Sequence, residues 1–187
     1  MKKTLLAFAL ITLPATLLAQ DKLFGFFDFA SSTLATIEHY AKQNACTITK
    51  MNKVPSKDPF VRLSHCKSTG LTDLAYMEFY TTQPDFNAET KFHSVVITFY
   101  NKGADRTYNI YLEALRDKYG VPNYFGQVMD YEGTFSEDYS QTKKVIWAKD
   151  SYLITLSKSK PGMGTVTYET GDKTSVKEQA KRLKKLL

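Results

Sequence analysis

The stretch that decides the fold runs from Ser94 to Pro122 and reads SVVITFYNKGADRTYNIYLEALRDKYGVP. Its first seven residues are rich in β-branched and aromatic side chains, which predicts a strand. Asp105 is a good N-cap residue, and apolar side chains recur after it at steps of three and four residues, which predicts a helix. Gly120 predicts the end of that helix, Val121 is expected to pack back onto it, and Pro122 forbids its continuation. The apolar stripe consists of Tyr108, Tyr111, Leu112, Leu115 and Tyr119.

The same kinds of element are predicted on both sides of this stretch. Upstream, apolar residues at helical spacing from Phe26 predict a first helix that ends near Asn44. Alternation with a period of two residues predicts the remaining strands, some of them bounded by Pro or Gly. These strands are Cys46–Lys50, Phe60–Cys66, Leu74–Tyr80, Lys143–Lys149, Ser151–Ser157 and Gly164–Thr170. Asp150 lies in a predicted tight hairpin, and a last helix is predicted from about Ser175 to the C-terminus.

This order of elements predicts an α+β fold. We expect an antiparallel meandering sheet of about seven strands with the helices on one face. One helix followed by several strands, and then the same again, also suggests a pseudo-repeat of a helix-plus-strands unit. We expect residues 20–187 to form a single mature domain with a basic C-terminal helix at about 175–187.

The pattern resembles small secreted or periplasmic domains built from helix-plus-strands repeats, such as β-lactamase inhibitory proteins and the small outer-membrane assembly lipoproteins. The likeness rests on the helix ending Leu115–Pro122 and on the later strand that contains Trp147. The resemblance implies a binding role, and no site residue is carried over from it.

The N-terminus predicts export. Lys2 and Lys3 precede the short apolar run Leu5–Leu13, and Ala19 offers a small residue for cleavage, which is the layout of a signal peptide. We therefore expect residues 1–19 to be removed and the protein to reach the periplasm of a Gram-negative-type bacterium, or to be secreted. A buried N-terminal helix, the alternative, does not account for two lysines ahead of such a run.

The net charge of +6 (25 Lys and Arg, 19 Asp and Glu) does not indicate a nucleic-acid-binding protein. Two of these charges belong to Lys2 and Lys3, and residues 173–187 carry six basic residues against Glu178 alone. The body of the chain, residues 20–172, is left with a net charge of −1. We therefore expect no nucleic acid among the partners.

Cys46 and Cys66 are the only cysteines, and they predict a structural disulfide. An even pair in an oxidising compartment is expected to be bridged, and no Cys-x-x-Cys motif suggests redox catalysis.

The search for catalytic chemistry is negative. His39, His65 and His93 do not stand at metal-ligand spacing to one another or to a cysteine. The sequence contains no nucleophile elbow, no phosphate-binding loop and no dinucleotide fingerprint. We predict no cofactor, no metal and no enzymatic activity, although an active site assembled from distant segments leaves no local trace.

The connection from Asn123 to Thr142 is the first candidate contact surface. It interleaves aromatic and acidic side chains, a composition suited to contact with a basic or cationic partner. The candidate contact residues are Tyr124, Phe125, Asp130, Tyr131, Glu132, Phe135, Glu137, Asp138 and Tyr139. The alternative is that the stretch hides a short strand, for example Gly126–Asp130, and that its acids are simply solvated. A calcium loop is the third reading, but the carboxylates lack the spacing of an EF-hand.

The predicted C-terminal helix is the second candidate. Its apolar stripe is narrow, and its basic residues suit an anionic membrane surface or an acidic partner. The residues concerned are Lys177, Lys181, Arg182, Lys184 and Lys185. Packing of the stripe on the sheet with solvated lysines is the plainer reading.

The sequence therefore predicts an exported binding or inhibitor-type (immunity-like) module that acts by protein–protein contact. Two alternatives stay open. One is an envelope-associated structural protein that uses the basic C-terminal helix in peripheral membrane contact. The other is a periplasmic enzyme with a dispersed site.

Overall fold

The computed structural model describes residues 26–52, 57–67, 69–102, 105–130, 140–149, 152–160, 162–171 and 178. The predicted signal peptide and nearly all of the predicted C-terminal helix lie outside these residues. Within them, the chain forms two helices and eight strands. The helices are α1 (Leu34–Gln43) and α2 (Arg106–Tyr119). The strands are β1 (Thr47–Met51), β2 (Phe60–Ser64), β3 (Leu74–Tyr80), β4 (Ser94–Tyr100), β5 (Tyr124–Asp130), β6 (Ser140–Ala148), β7 (Tyr152–Lys160) and β8 (Met163–Thr170).

All eight strands belong to one antiparallel sheet with the order β1-β2-β3-β4-β8-β7-β6-β5. The predicted α+β class and the antiparallel sheet are confirmed. The seven predicted strands are present, and β5 is an additional one. β4 pairs with β8 at the centre, in a register that runs from Ser94 opposite Glu169 to Tyr100 opposite Met163. Among the described strands, β1 and β5 therefore form the two edges.

Both helices pack on the same face of the sheet, as predicted. In α2, the Tyr111 ring stacks on Phe99 of β4 with 4.3 Å between ring centroids. On the α1 side, Phe26 stacks on Tyr40 at 3.6 Å and also contacts Phe79 of β3 at 6.3 Å. Phe79 lies opposite Val95 in the β3–β4 register. Since Val95 and Phe99 are four residues apart on β4, all three side chains point to one face.

α1 begins later than predicted. The helical spacing starts at Phe26, but Asp28 organises a turn ahead of the helix. Its Oδ1 accepts a hydrogen bond from the Ala30 N–H at 3.0 Å, and its backbone carbonyl accepts one from the Ser32 N–H at 2.8 Å. An aspartate that bonds nearby backbone groups favours a turn over a helix, so α1 begins at Leu34.

α2 has the predicted length, but its N-terminus is built differently. Asp105 occupies the N-cap position with a left-handed φ of 72°, and its side chain makes no capping bond. The capping acceptor is instead Asn101, whose Oδ1 receives the Tyr108 N–H at 3.1 Å. Asn101 Nδ2 donates to Asp105 Oδ1 at 2.9 Å, and Lys158 forms an ion pair with the same carboxylate.

The predicted disulfide is present between Cys46 and Cys66. Cys46 directly precedes β1 and Cys66 lies just beyond the end of β2, two strands that pair with Thr47 opposite Ser64. The bridge therefore fastens the edge strand β1 and the end of α1 to the interior of the sheet.

Candidate functional site

The first predicted contact surface falls partly on β5. The connection from Asn123 to Thr142 contains this strand, which pairs with β6 from Tyr124 opposite Ile146 to Asp130 opposite Ser140. The alternative of a hidden strand is therefore confirmed for residues 124–130, and the strand begins two residues earlier than the example Gly126–Asp130. The other candidates lie outside the described residues; they are Tyr131, Glu132, Phe135, Glu137, Asp138 and Tyr139.

The corner between α2 and β5, together with the start of β5, carries the two most exposed large apolar side chains in the described part of the chain. Val121 is 90% exposed and Phe125 is 61% exposed. Phe125 lies opposite Val145 of β6, and the Val145 side chain is buried. The Phe125 side chain is more exposed because it lies at the edge of the sheet. The prediction that Val121 packs back onto α2 is wrong.

The exposure of Val121 follows from how α2 ends. Gly120 has a φ of 78°, a conformation that favours glycine, and its N–H donates to the Arg116 carbonyl at 2.7 Å. The Gly120 carbonyl accepts the indole N–H of buried Trp147 at 2.8 Å. Three residues after Gly120, the Asn123 N–H donates to the Ile146 carbonyl at 2.8 Å. The chain is thus fixed on both sides of Val121, and its side chain is left in solvent.

A shallow groove of about 340 Å³ lies beside this corner. It is lined by Arg116, Asp117, Gly120, Val121 and Pro122. We use the name β5 surface for this groove together with Phe125 and the outer backbone edge of β5.

The outer edge of β5 lacks the features that usually protect an edge strand. Its sequence, YFGQVMD, contains no lysine and no proline. The opposite edge strand, β1, is shorter and carries Lys50, which pairs with Glu38 of α1 at 2.8 Å. Within the described residues β5 pairs with β6 alone, so its outer edge can accept a further strand.

The second predicted surface is the basic C-terminal helix. Its candidate residues Lys177, Lys181, Arg182, Lys184 and Lys185 lie outside the described residues. In the described part of the chain, no helix is both long and apolar enough to cross a membrane.

The histidines are dispersed. His39 lies on the exposed side of α1, and exposed His65 has a φ of 52° just after β2. His93 precedes β4, and its Nε2 lies 3.2 Å from an Asp58 carboxylate oxygen. Among the described residues, no three His, Cys, Asp or Glu side chains are grouped so that they could hold a metal ion.

The buried tyrosines are poor candidates for proton transfer. Burial raises the pKa of Tyr108 to about 12, with a smaller contribution from the nearby Asp105 carboxylate. Burial also raises the pKa of Tyr111 and that of Tyr168. All three hydroxyls stay protonated at neutral pH, so they pack the space between α2 and the sheet as neutral groups.

Asp73 is the centre of a polar network that positions α2. Its carboxylate accepts hydrogen bonds from Lys102 Nζ at 2.8 Å and from Thr107 Oγ1 at 2.7 Å. Its carbonyl accepts the Tyr100 N–H at 2.9 Å. Thr107 is buried in the first turn of α2, so the network ties the start of β3 to the helix. Its geometry supports a structural role.

The cluster around Arg62 and Glu78 is not predicted from the sequence. Arg62 of β2 and Glu78 of β3 lie opposite each other, on the face of the sheet away from the helices. The Arg62 guanidinium lies 4.6 Å from the centre of the Tyr76 ring and 5.4 Å from that of Phe60. Tyr80 Oη donates to Glu78 Oε2 at 2.7 Å. The period of two places these residues on one face of each strand, but only the strand register brings them together.

Comparison with known proteins gives no relative. No family model, no curated protein and no solved structure matches the chain. The resemblance to helix-plus-strands inhibitory and assembly proteins therefore gains no support from these comparisons, and the function rests on the geometry of the chain itself.

Proposed function

We propose that this protein is an exported, inhibitor-type binding module that contacts another protein through the β5 surface. The observation that carries the proposal is the unprotected edge of β5 beside the exposed Phe125. An edge strand supplies main-chain hydrogen bonds to an added strand, and neighbouring apolar side chains supply contact area.

The rigidity of the corner favours binding further. The backbone at Val121 is fixed by the bonds of Gly120 and Asn123 and by the Trp147 indole, and the backbone at Phe125 is fixed by its pairing with β6. Little backbone conformational entropy is therefore lost when a partner covers these residues. Full burial of one such apolar side chain contributes about 1.5 to 3 kcal/mol of favourable transfer free energy.

Export is part of the proposal. A disulfide between Cys46 and Cys66 is compatible with an oxidising compartment, and the predicted signal peptide leads to the periplasm. We also propose a pseudo-repeat. It is supported by topology, because α1 precedes β1–β4, α2 precedes β5–β8, and the last strand of each set pairs with the other.

The test is affinity capture of the tagged mature protein from the periplasm of its own host, followed by a binding measurement with the retained protein. We expect Phe125→Lys to weaken this complex about tenfold or more, because it removes apolar area and adds the kind of charge that blocks edge pairing. Ile110→Lys is the matched control, since Ile110 is 40% exposed on the outer side of α2.

The outcome is read from the pair of variants. Loss of the complex with Phe125→Lys and retention with Ile110→Lys supports the β5 surface. Equal binding by the wild-type protein and the Phe125→Lys variant, with both folded, contradicts it, as does recovery of no specific partner.

A further inference from the structure

We propose that Arg62 anchors a carboxylate of a partner polypeptide on the face of the sheet opposite the helices. This inference goes beyond the β5 surface and does not depend on it, because β2 and β5 are near opposite ends of the strand order.

The Arg62 side chain lies outside the core because side chains alternate between the two faces of a strand. Its neighbours Val61 and Leu63 are fully buried under the helices, so the Arg62 side chain points to the other face. Thr49 lies opposite it on β1 and is exposed. The Arg62 side chain itself is 40% exposed. A ligand can therefore approach it from solvent.

Glu78 positions the arginine and is not itself available. Its side chain is only 8% exposed. Oε1 accepts from Arg62 Nε at 2.9 Å and from Nη2 at 2.5 Å. Oε2 accepts from the Tyr80 hydroxyl at 2.7 Å. Burial, together with this bond to a carboxylate, raises the pKa of Tyr80, so the hydroxyl keeps its proton and continues to donate.

The guanidinium has a second edge for binding. Glu78 occupies the side formed by Nε and Nη2, which leaves the end formed by Nη1 and Nη2. Two parallel N–H groups at that end match the two oxygens of a carboxylate. Within the described residues, Glu78 is the sole polar partner of Arg62. An incoming carboxylate thus meets donors whose orientation is already fixed.

The surroundings favour a polypeptide as the carrier of this carboxylate. The guanidinium lies over the Tyr76 and Phe60 rings at 4.6 and 5.4 Å, which restricts its motion. Met51, opposite Phe60 on β1, is 40% exposed and extends the apolar rim. A fixed arginine among aromatic and apolar side chains on an open face is the composition of a protein-interface hot spot.

The experiment follows the side-chain Nε–Hε resonance of Arg62 by NMR in the full mature protein. The probe is the tripeptide Leu-Glu-Leu blocked at both ends, and the matched neutral probe is blocked Leu-Gln-Leu. We expect a saturable shift of the Arg62 signal with the glutamate peptide and none with the glutamine peptide. Acetate and inorganic phosphate are titrated in parallel to distinguish a small carboxylate and a phosphate from a polypeptide ligand.

Two substitutions test the geometry. Arg62→Lys keeps the charge but lacks the planar pair of N–H donors. We expect it to weaken binding of the glutamate peptide by about tenfold or more. Arg106→Gln is the matched control, because Arg106 is also exposed and lies in the first turn of α2, outside both the Arg62 cluster and the β5 surface. Backbone spectra of each variant show that its fold is retained.

Several results would overturn the proposal. One is an unchanged Arg62 signal with the glutamate peptide, or the same shift with the glutamine peptide. Another is acetate or phosphate binding as tightly as the glutamate peptide, which would assign the site to a different ligand. Binding by Arg62→Lys as tight as that of the wild-type protein, or equal weakening by Arg106→Gln, would reduce the effect to general charge. The first and second results come from the wild-type protein, so they stand even where a variant fails to fold.

Discussion

At the residue scale, Asp73 shows how one carboxylate can hold an element in place. It has a left-handed φ of 52°, which aspartate and asparagine tolerate better than most residues. The hydrogen bonds from Lys102 and Thr107 lower the pKa of its carboxyl group. The charged form is thus favoured in the folded state relative to the unfolded chain.

This shift predicts a pH dependence of stability. A carboxyl group whose folded pKa is lowered stabilises the fold above its unfolded pKa, and that contribution is lost as the pH falls through the folded pKa. We expect Asp73→Asn to lower the free energy of unfolding at pH 7. The difference from wild type should shrink below about pH 4, the region of the unfolded pKa. Urea titrations at both pH values measure it, and a difference independent of pH would contradict this role.

Gly164 gives a second prediction at this scale. A Cβ atom built on Gly164 of β8 would come within 2.6 Å of Phe99 Cε2. Phe99 is fully buried and stacked on Tyr111, so its ring has little room to move. We expect Gly164→Ala to lower the free energy of unfolding by about 1 to 3 kcal/mol through overpacking. Glu169→Ala, at an exposed position of the same strand, should stay within about 0.5 kcal/mol.

At the scale of the element, the junction of α2 and β5 depends on Trp147. The side chain is fully buried, and its indole N–H donates to the carbonyl of Gly120, just past the helix. We expect Trp147→Phe to lower the free energy of unfolding by about 1 to 3 kcal/mol, because it opens space and removes this bond. Denaturation followed by circular dichroism measures the effect. Tyr100→Phe, at a half-exposed site, is the control; an equal effect there would argue against the Trp147 contact.

The disulfide gives a prediction for β1 and α1. It closes a loop of 20 residues. The double variant Cys46→Ser/Cys66→Ser should lower the free energy of unfolding by roughly 3 kcal/mol. The measurement is a denaturant titration beside the oxidised wild-type protein, with intact mass after alkylation to establish the thiol state. Two alkylated thiols in the unreduced wild-type protein would contradict the bridge.

Most elements were predictable because local sequence determines them. Residues close in sequence determine the apolar stripe of α2 and the end of this helix at Gly120. They also determine the alternation of side chains in seven of the strands. The exceptions depend on tertiary contacts. The Asp105 carboxylate makes no capping bond and instead pairs with Lys158, which lies far along the chain. Val121 is kept from α2 by the bonds at Gly120 and Asn123.

At the scale of the whole molecule, the order of strands in the sheet determines which site residues could be predicted from the sequence. Phe125 could be named from the sequence as a contact residue, but its place on an edge strand follows from the pairing of β5 with β6 alone among the described strands. The Arg62 cluster was missed for the same reason. Arginine and glutamate on solvent-facing strand positions are ordinary, and they form a site only in the register that sets Arg62 opposite Glu78.

The central claim is that this protein binds a partner through the β5 surface, and crosslinking tests it most directly. A photoreactive phenylalanine analogue replaces Phe125 in one preparation and Tyr100 in another, since Tyr100 is 51% exposed at the end of β4. Both preparations are irradiated in cells of the host, and the products are identified by mass spectrometry.

We expect one dominant crosslinked protein from position 125 and little or none from position 100. The same protein should be the one retained in affinity capture. No crosslink from position 125 while that partner is still captured, or equal crosslinking from both positions, would contradict binding through the β5 surface.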